Sequence, residues 1–155
     1  MKIILMGQQA FGKSTLEKFH KETDHEIVAV YCAPDKEGKP LDPVKEYAVS
    51  ENLPVFQPSN FKDKEVLEQI KSHNADLCVM AYVIIFVPEE ARNIPKHGSI
   101  CFHPSLLPLH RGPSSINWPI IMGSKKTGLT IFYPNDGLDE GEILQEGSHN
   151  QLISQ

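Results

Sequence analysis

No apolar run in this sequence is long enough to cross a bilayer: the longest, Leu77 to Val87, has 11 residues, against about 20 for a spanning helix. The apolar Ile3-Ile4-Leu5-Met6 is too short for a signal peptide and stops at Gly7. Cysteine is scarce. Cys32, Cys78 and Cys101 are odd in number, so free thiols in a reducing cytosol are expected, and with them a cytoplasmic location. Positive charge is the minority sign, with 15 Lys and Arg against 20 Asp and Glu and a formal net charge of −5. Scattered basic residues without a patch point away from nucleic acid. His20, His25, His73, His97, His110 and His149 have no ligand spacing with the cysteines, so no metal site is expected. A Gly-x-Ser-x-Gly elbow is also missing, so Ser105, His103 and Asp139 do not read as a hydrolase triad.

What is present is ordinary globular composition, 40% hydrophobic and 23% charged over 155 residues, enough for one core. Apolar runs alternate with amphipathic stretches. Strands are predicted at Lys2–Met6, Glu26–Cys32, Val55-Phe56, Leu77–Ala81 and Ser99–Phe102. Helices are predicted at 13–21, 43–52, 64–72 and, after Pro88, 89–92. Strands separated by helices imply parallel βαβ units, an α/β, Rossmann-like, doubly wound and mostly parallel sheet. Ligands of such sheets bind beyond the carboxyl ends of the strands, where Tyr82–Val87 and His103 emerge. The last third differs: a helix over 115–122, a strand at Thr127–Tyr133 and an antiparallel return at Glu142–Gln145 across the Asp136–Gly141 turn. We expect one domain over residues 1–145 and a loose polar tail over 146–155.

The chemistry concentrates in two places. Residues 101–112 read Cys-Phe-His-Pro-Ser-Leu-Leu-Pro-Leu-His-Arg-Gly, and Asp139 follows His103 by thirty-six positions within Asp-Gly-Leu-Asp-Glu-Gly. A histidine delivered at a strand end and a carboxylate returned by a glycine-bracketed turn supply an acid and a base to one pocket.

The run His103-Pro104-Ser105-Leu106-Leu107-Pro108, then Arg111-Gly112 and Gly137-Leu138-Asp139-x-Gly141, resembles the formyltransferase family that uses 10-formyltetrahydrofolate. Within that family, Gly7-Gln8, Phe11-Gly12, Pro34-Asp35-Lys36, His97-Gly98-Ser99-Ile100 and Ser115-Ile116-Asn117-Trp118 look most like the hydrolase domain of the 10-formyltetrahydrofolate dehydrogenases. The resemblance implies a formyltransferase fold with an antiparallel carboxyl-terminal hairpin, and catalysis by His103 and Asp139. It further implies 10-formyltetrahydrofolate as substrate, contacted by the main chain of Ile85-Phe86-Val87 and by the Asp136–Asp139 turn. Thr130 takes the hydroxyl position that relatives use near the catalytic Asp, an oxyanion or acceptor position it shares with Cys101. Arg111 either shapes the loop or meets a substrate carboxylate. The partner implied is a small-molecule folate; if the chain is part of a longer protein, a carrier-domain thiol and further dehydrogenase domains join it.

Two departures bear on that resemblance. Relatives that formylate amines carry Asn two residues before the catalytic His, where this chain has Cys101, which moves the reading toward hydrolysis or a thiol acceptor. Gly7-Gln8-Gln9-Ala10-Phe11-Gly12-Lys13-Ser14 also fits the Gly-x4-Gly-Lys-Ser of a P-loop NTPase. That alternative needs an apolar strand ending in a metal-binding Asp. The strand at 77–81 instead has Asp76 before it and ends Val79-Met80-Ala81. We therefore read Gly7 and Gly12 as turn and close-packing glycines, Lys13 as exposed, and expect no nucleotide.

Overall fold

Ile3, Ile4, Leu5 and Met6 are consecutive, apolar and buried, the pattern of a strand covered on both faces. They lie in β1 (Lys2–Gly7), the centre of the first of two compact units into which the computed structural model divides after Ser99. The structure describes residues 1–150. In the first unit, β1 is followed by α1 (Gln9–Glu22), β2 (Glu26–Tyr31), α2 (Pro43–Ser50), β3 (Val55–Phe56), α3 (Lys64–Ser72), β4 (Leu77–Ala81) and α4 (Glu89–Arg92). The strands run parallel in the order β3-β2-β1-β4. Parallel neighbours require crossovers, and the helices supply them. Leu16 of α1, Val44 and Ala48 of α2 and Ile70 of α3 are fully buried, so each helix spends its apolar stripe on the core.

Three helices have other bounds than the sequence reading gives them, each for a local reason. Helix α1 starts at Gln9 rather than Lys13 because the Asp42 carboxylate accepts the Gln9 N–H at 2.9 and 3.0 Å, satisfying a donor that a helix end otherwise leaves open. Helix α2 ends at Ser50 rather than Asn52: Asn52 turns left-handed, φ +57°, and its N–H closes back on the Val49 carbonyl. The helix expected over 115–122 contracts to α5 (Asn117–Ile121), in the second unit, since Ser114 is left-handed at φ +62° and its carbonyl accepts the first helical N–H groups.

The second unit also holds β5 (Ser99–His103), whose residues from Ile100 onward fall in it, β6 (Lys126–Pro134) and β7 (Gly141–Asn150), paired antiparallel in that order. The hairpin across the Asp136–Gly141 turn is as expected, but β7 is longer. Glu146–Asn150, expected to be loose, pair with Lys126–Thr130. Every residue of β7 is exposed, so no apolar period marks the strand, and main-chain ladder bonds hold it instead. Gly128 makes this possible, because a Cβ there would stand 2.2 Å from the Gly147 carbonyl oxygen. Residues 151–155, the rest of the expected tail, lie outside the described residues. No helix among the described residues is long and apolar enough to cross a membrane.

Candidate active site

His103 ends β5 and pairs with Thr130 on β6, which fixes its backbone on a ladder rather than in a loop. Its ring is buried, 6% exposed. Nε2 lies 2.9 Å from the His110 carbonyl oxygen; a carbonyl only accepts, so this nitrogen carries a proton. Nδ1 lies 3.5 Å from Asp139 Oδ2. Ring orientation is thus defined from both sides.

Asp139 reaches His103 from the turn between β6 and β7. The turn is tight: Asn135 Oδ1 accepts the Gly137 N–H at 2.8 Å, and the Asn135 N–H donates to the Glu140 carbonyl at 3.1 Å. Asp139 itself is left-handed, φ +47°, a conformation that costs a non-glycine residue of order 1 kcal/mol and persists only where the surroundings impose it. Here they do. Asp139 Oδ2 accepts the Gly112 N–H at 2.6 Å, and Arg111 Nη1 lies 3.0 Å from Glu140 Oε1, so the segment after Pro108 is tied to the turn twice.

The other expected site residues take distinct places. Cys101 precedes His103 by two on β5 and is half-buried; burial first, and the Asp139 charge second, push its thiol up to about 12. A thiol so held is protonated at neutral pH and a poor nucleophile. Residues two apart on a strand share a face, so Cys101 lies on the face of β5 that carries His103.

Thr130 is tied to the loop after His103. It is fully buried, and its hydroxyl accepts the Leu107 N–H at 3.1 Å and donates toward the Ser105 carbonyl at 2.8 Å, with Glu146 Oε1 at 3.3 Å. Through these bonds it clamps the loop after His103. Ser105, likewise buried, donates to the Leu109 carbonyl at 2.6 Å. These main-chain ties carry no sequence signature, which is why the roles of His110, Gly112 and Ser105 were not legible.

In the first unit, the loop after β4 exposes Tyr82, Ile84 and Phe86 and buries Val87. Arg92 Nη1 donates to the Val87 carbonyl at 2.6 Å. Ile85 and Val83 line a cleft with Met6, Gln8, Tyr31, Cys32 and Phe61. Lys62 Nζ stands 5.6 Å from the centre of the Phe86 ring. Asp136, in the second unit, is exposed.

The Gly7–Ser14 segment is helical from Gln9 onward. The Gly12 N–H is spent on the Gln8 carbonyl at 3.1 Å, and the Asp42 carboxylate already sits on the first helical N–H, where a phosphate would bind. A Cβ at Gly7 would stand 2.5 Å from the Ala81 carbonyl oxygen, and one at Gly12 would stand 2.9 Å from Val44 Cγ2. Both glycines are close-packing residues. Among the described residues no group of three or more His, Cys, Asp and Glu is placed to hold a metal ion.

Comparison with known proteins shows the family of the chain. A family profile described as formyl transferase matches residues 1–150. The human mitochondrial 10-formyltetrahydrofolate dehydrogenase is 42% identical over 153 residues, covering 96% of this chain and 16% of that protein. The methionyl-tRNA formyltransferase of Fusobacterium nucleatum is 45% identical over 152 residues, covering 94% of this chain and 48% of that one. The chain thus spans about half, or less, of the length of these curated relatives. A formyltetrahydrofolate deformylase from Pseudomonas syringae superposes with a TM-score of 0.79 at 23% identity, over 97% of this chain and 51% of that one. A phosphoribosylglycinamide formyltransferase from Coxiella burnetii superposes with a TM-score of 0.81 at 17% identity, over 100% of this chain and 75% of that one. Likenesses at that identity speak to the fold.

Proposed function

Since the chain belongs to the formyl transferase family, we propose that it takes 10-formyltetrahydrofolate as substrate and releases or transfers the formyl group through His103 and Asp139. One observation carries the reading: a buried imidazole and a carboxylate, thirty-six positions apart in sequence, stand 3.5 Å apart in the fold.

Attack on a formyl carbon produces a tetrahedral centre with negative charge on oxygen, which needs a hydrogen-bond donor, and the attacking group must lose a proton, which needs a base. Asp139 takes the proton from water as the carbon–oxygen bond forms. His103 donates to the developing oxyanion from Nδ1, the nitrogen on the Asp139 side that the His110 carbonyl does not engage. Collapse of the centre re-forms the carbonyl, breaks the bond to the folate nitrogen and passes the proton to that nitrogen, leaving formate and tetrahydrofolate. The Val83–Val87 loop is our candidate main-chain surface for the pterin ring, with Ile85, Phe86 and Val87 supplying the contacts; Asp136 is a second candidate contact. An apolar segment that offers main-chain donors and acceptors suits a flat heterocycle.

Water is favoured over an amine as acceptor by Cys101, which stands where amine-using members of the family are expected to carry Asn. Burial pushes the thiol up to about 12 and makes it a poor nucleophile, which supports water over Cys101 as the acceptor. Incubating the protein with 10-formyltetrahydrofolate, alone and then with amines and small thiols, and following tetrahydrofolate release tests the proposal. Release without added acceptor is expected. Tight folate binding without release under any condition would make the chain a folate-binding module rather than an enzyme.

A further inference from the structure

Three consecutive residues, His110, Arg111 and Gly112, each touch a different part of the acid–base pair or its turn. The His110 carbonyl accepts from His103 Nε2 at 2.9 Å, Arg111 Nη1 meets Glu140 Oε1 at 3.0 Å, and the Gly112 N–H donates to Asp139 Oδ2 at 2.6 Å. His110 and Gly112 contribute main-chain groups and are both left-handed, φ +54° and +82°. Their placement therefore depends on how this tripeptide is held. Arg111 is the one member whose side chain holds it.

We propose that Arg111 is a positioning residue: its ion pair with Glu140 clasps the tripeptide to the turn that carries Asp139, and so sets the orientation of His103 and Asp139 toward each other. The inference rests on the reading of those two residues as the catalytic pair. Glu140 is the residue after Asp139, so a shift at Glu140 is transmitted through one peptide unit to the carboxylate. The pair is exposed, with side chains 42% and 45% accessible, and exposed pairs add little to folding stability. A bidentate-capable guanidinium fixes direction better than an ammonium. Its value here is geometric, since misplacing a catalytic group by about 1 Å costs up to about 10²-fold in rate. The alternative role for Arg111, binding a substrate carboxylate, predicts a different kinetic signature.

The test is a charge swap in the full chain. Arg111→Glu and Glu140→Arg should each lower kcat by about tenfold, with KM for 10-formyltetrahydrofolate and Tm nearly unchanged. The double variant R111E/E140R should recover most of the lost kcat. The imidazole NMR resonances of His103 should move in each single variant and return in the double. That readout does not require turnover, so a clasp that moves the ring in a protein without activity would fail the catalytic reading while upholding the clasp. Unchanged kcat and His103 resonances in both single variants, or a swap that restores neither, would overturn the proposal. So would a loss confined to KM, which would assign Arg111 to the substrate.

Discussion

His103 Nδ1 and Asp139 Oδ2 face each other at 3.5 Å, the histidine at the end of a strand and the aspartate left-handed on a turn. A pair that shares one proton-handling task behaves as a unit. Replacing either residue by Ala should lower turnover of 10-formyltetrahydrofolate by about 10²–10⁴-fold, and the double variant should be little worse than the more damaged single. Steady-state kinetics on the three variants decides it; additive losses would mean the two act separately.

Thr130 ties the loop after His103 through hydrogen bonds to Ser105 and Leu107. Thr130→Val keeps the shape and deletes both bonds, leaving buried main-chain groups without partners, at a cost of about 1–3 kcal/mol. Urea denaturation should show the loss. A Val variant as stable as the parent would remove the clamp from this account.

At Gly7 the obstacle to a side chain is the Ala81 carbonyl oxygen, 2.5 Å from where Cβ would sit. Because backbone cannot swing aside like a long side chain, Gly7→Ala should destabilise by about 1–3 kcal/mol. Lys13, by contrast, is exposed in α1, and Lys13→Ala should leave both stability and formyl release unchanged. Calorimetry with magnesium-ATP or GTP should give no heat; micromolar binding abolished by Lys13→Ala would restore the P-loop reading.

Cys101 bears on the choice of acceptor. Cys101→Ala should cost little, because a half-buried thiol pushed up to about 12 supplies a weak donor and little thiolate. Cys101→Asn should raise formyl transfer to amines relative to hydrolysis. Trapping a formyl-thioester on Cys101 would replace water attack with a covalent mechanism.

The same shift sets an alkaline limit. Burial holds Cys101 at about 12 and Cys32 at about 11, both above the ordinary 9.0. The folded state therefore binds these protons more tightly than the unfolded chain does, so the contribution to stability is complete below about pH 9 and fades as pH rises through 11 and 12. Melting temperature should fall over that window, and less steeply in a Cys32→Ala, Cys101→Ala variant. Identical alkaline profiles for variant and parent would assign the fall to other groups, Tyr31 first, whose phenol burial also raises.

How much of this was legible in one dimension depends on what kind of group carries the information. Strands β3 and β4 and helix α3 follow from apolar periodicity, since burial of side chains is what the pattern encodes. The parallel order of β1, β2, β3 and β4 follows from the alternation of strand and helix. His103 and Asp139 stand out as candidates because titratable side chains are named by the sequence. The start of α1 and the strand at Glu146–Asn150 were not legible: Asp42 caps α1 from thirty-three positions away, and an exposed strand held by main-chain bonds has no apolar face to betray it. The same holds at the site. The sequence by itself determined which imidazole and which carboxylate are candidates for the proposed acid and base; only the tertiary structure decided that the carbonyl of His110 and the amide of Gly112 meet them, and that the Thr130 hydroxyl ties the loop, because main-chain groups are alike at every position until folding gives each a neighbour.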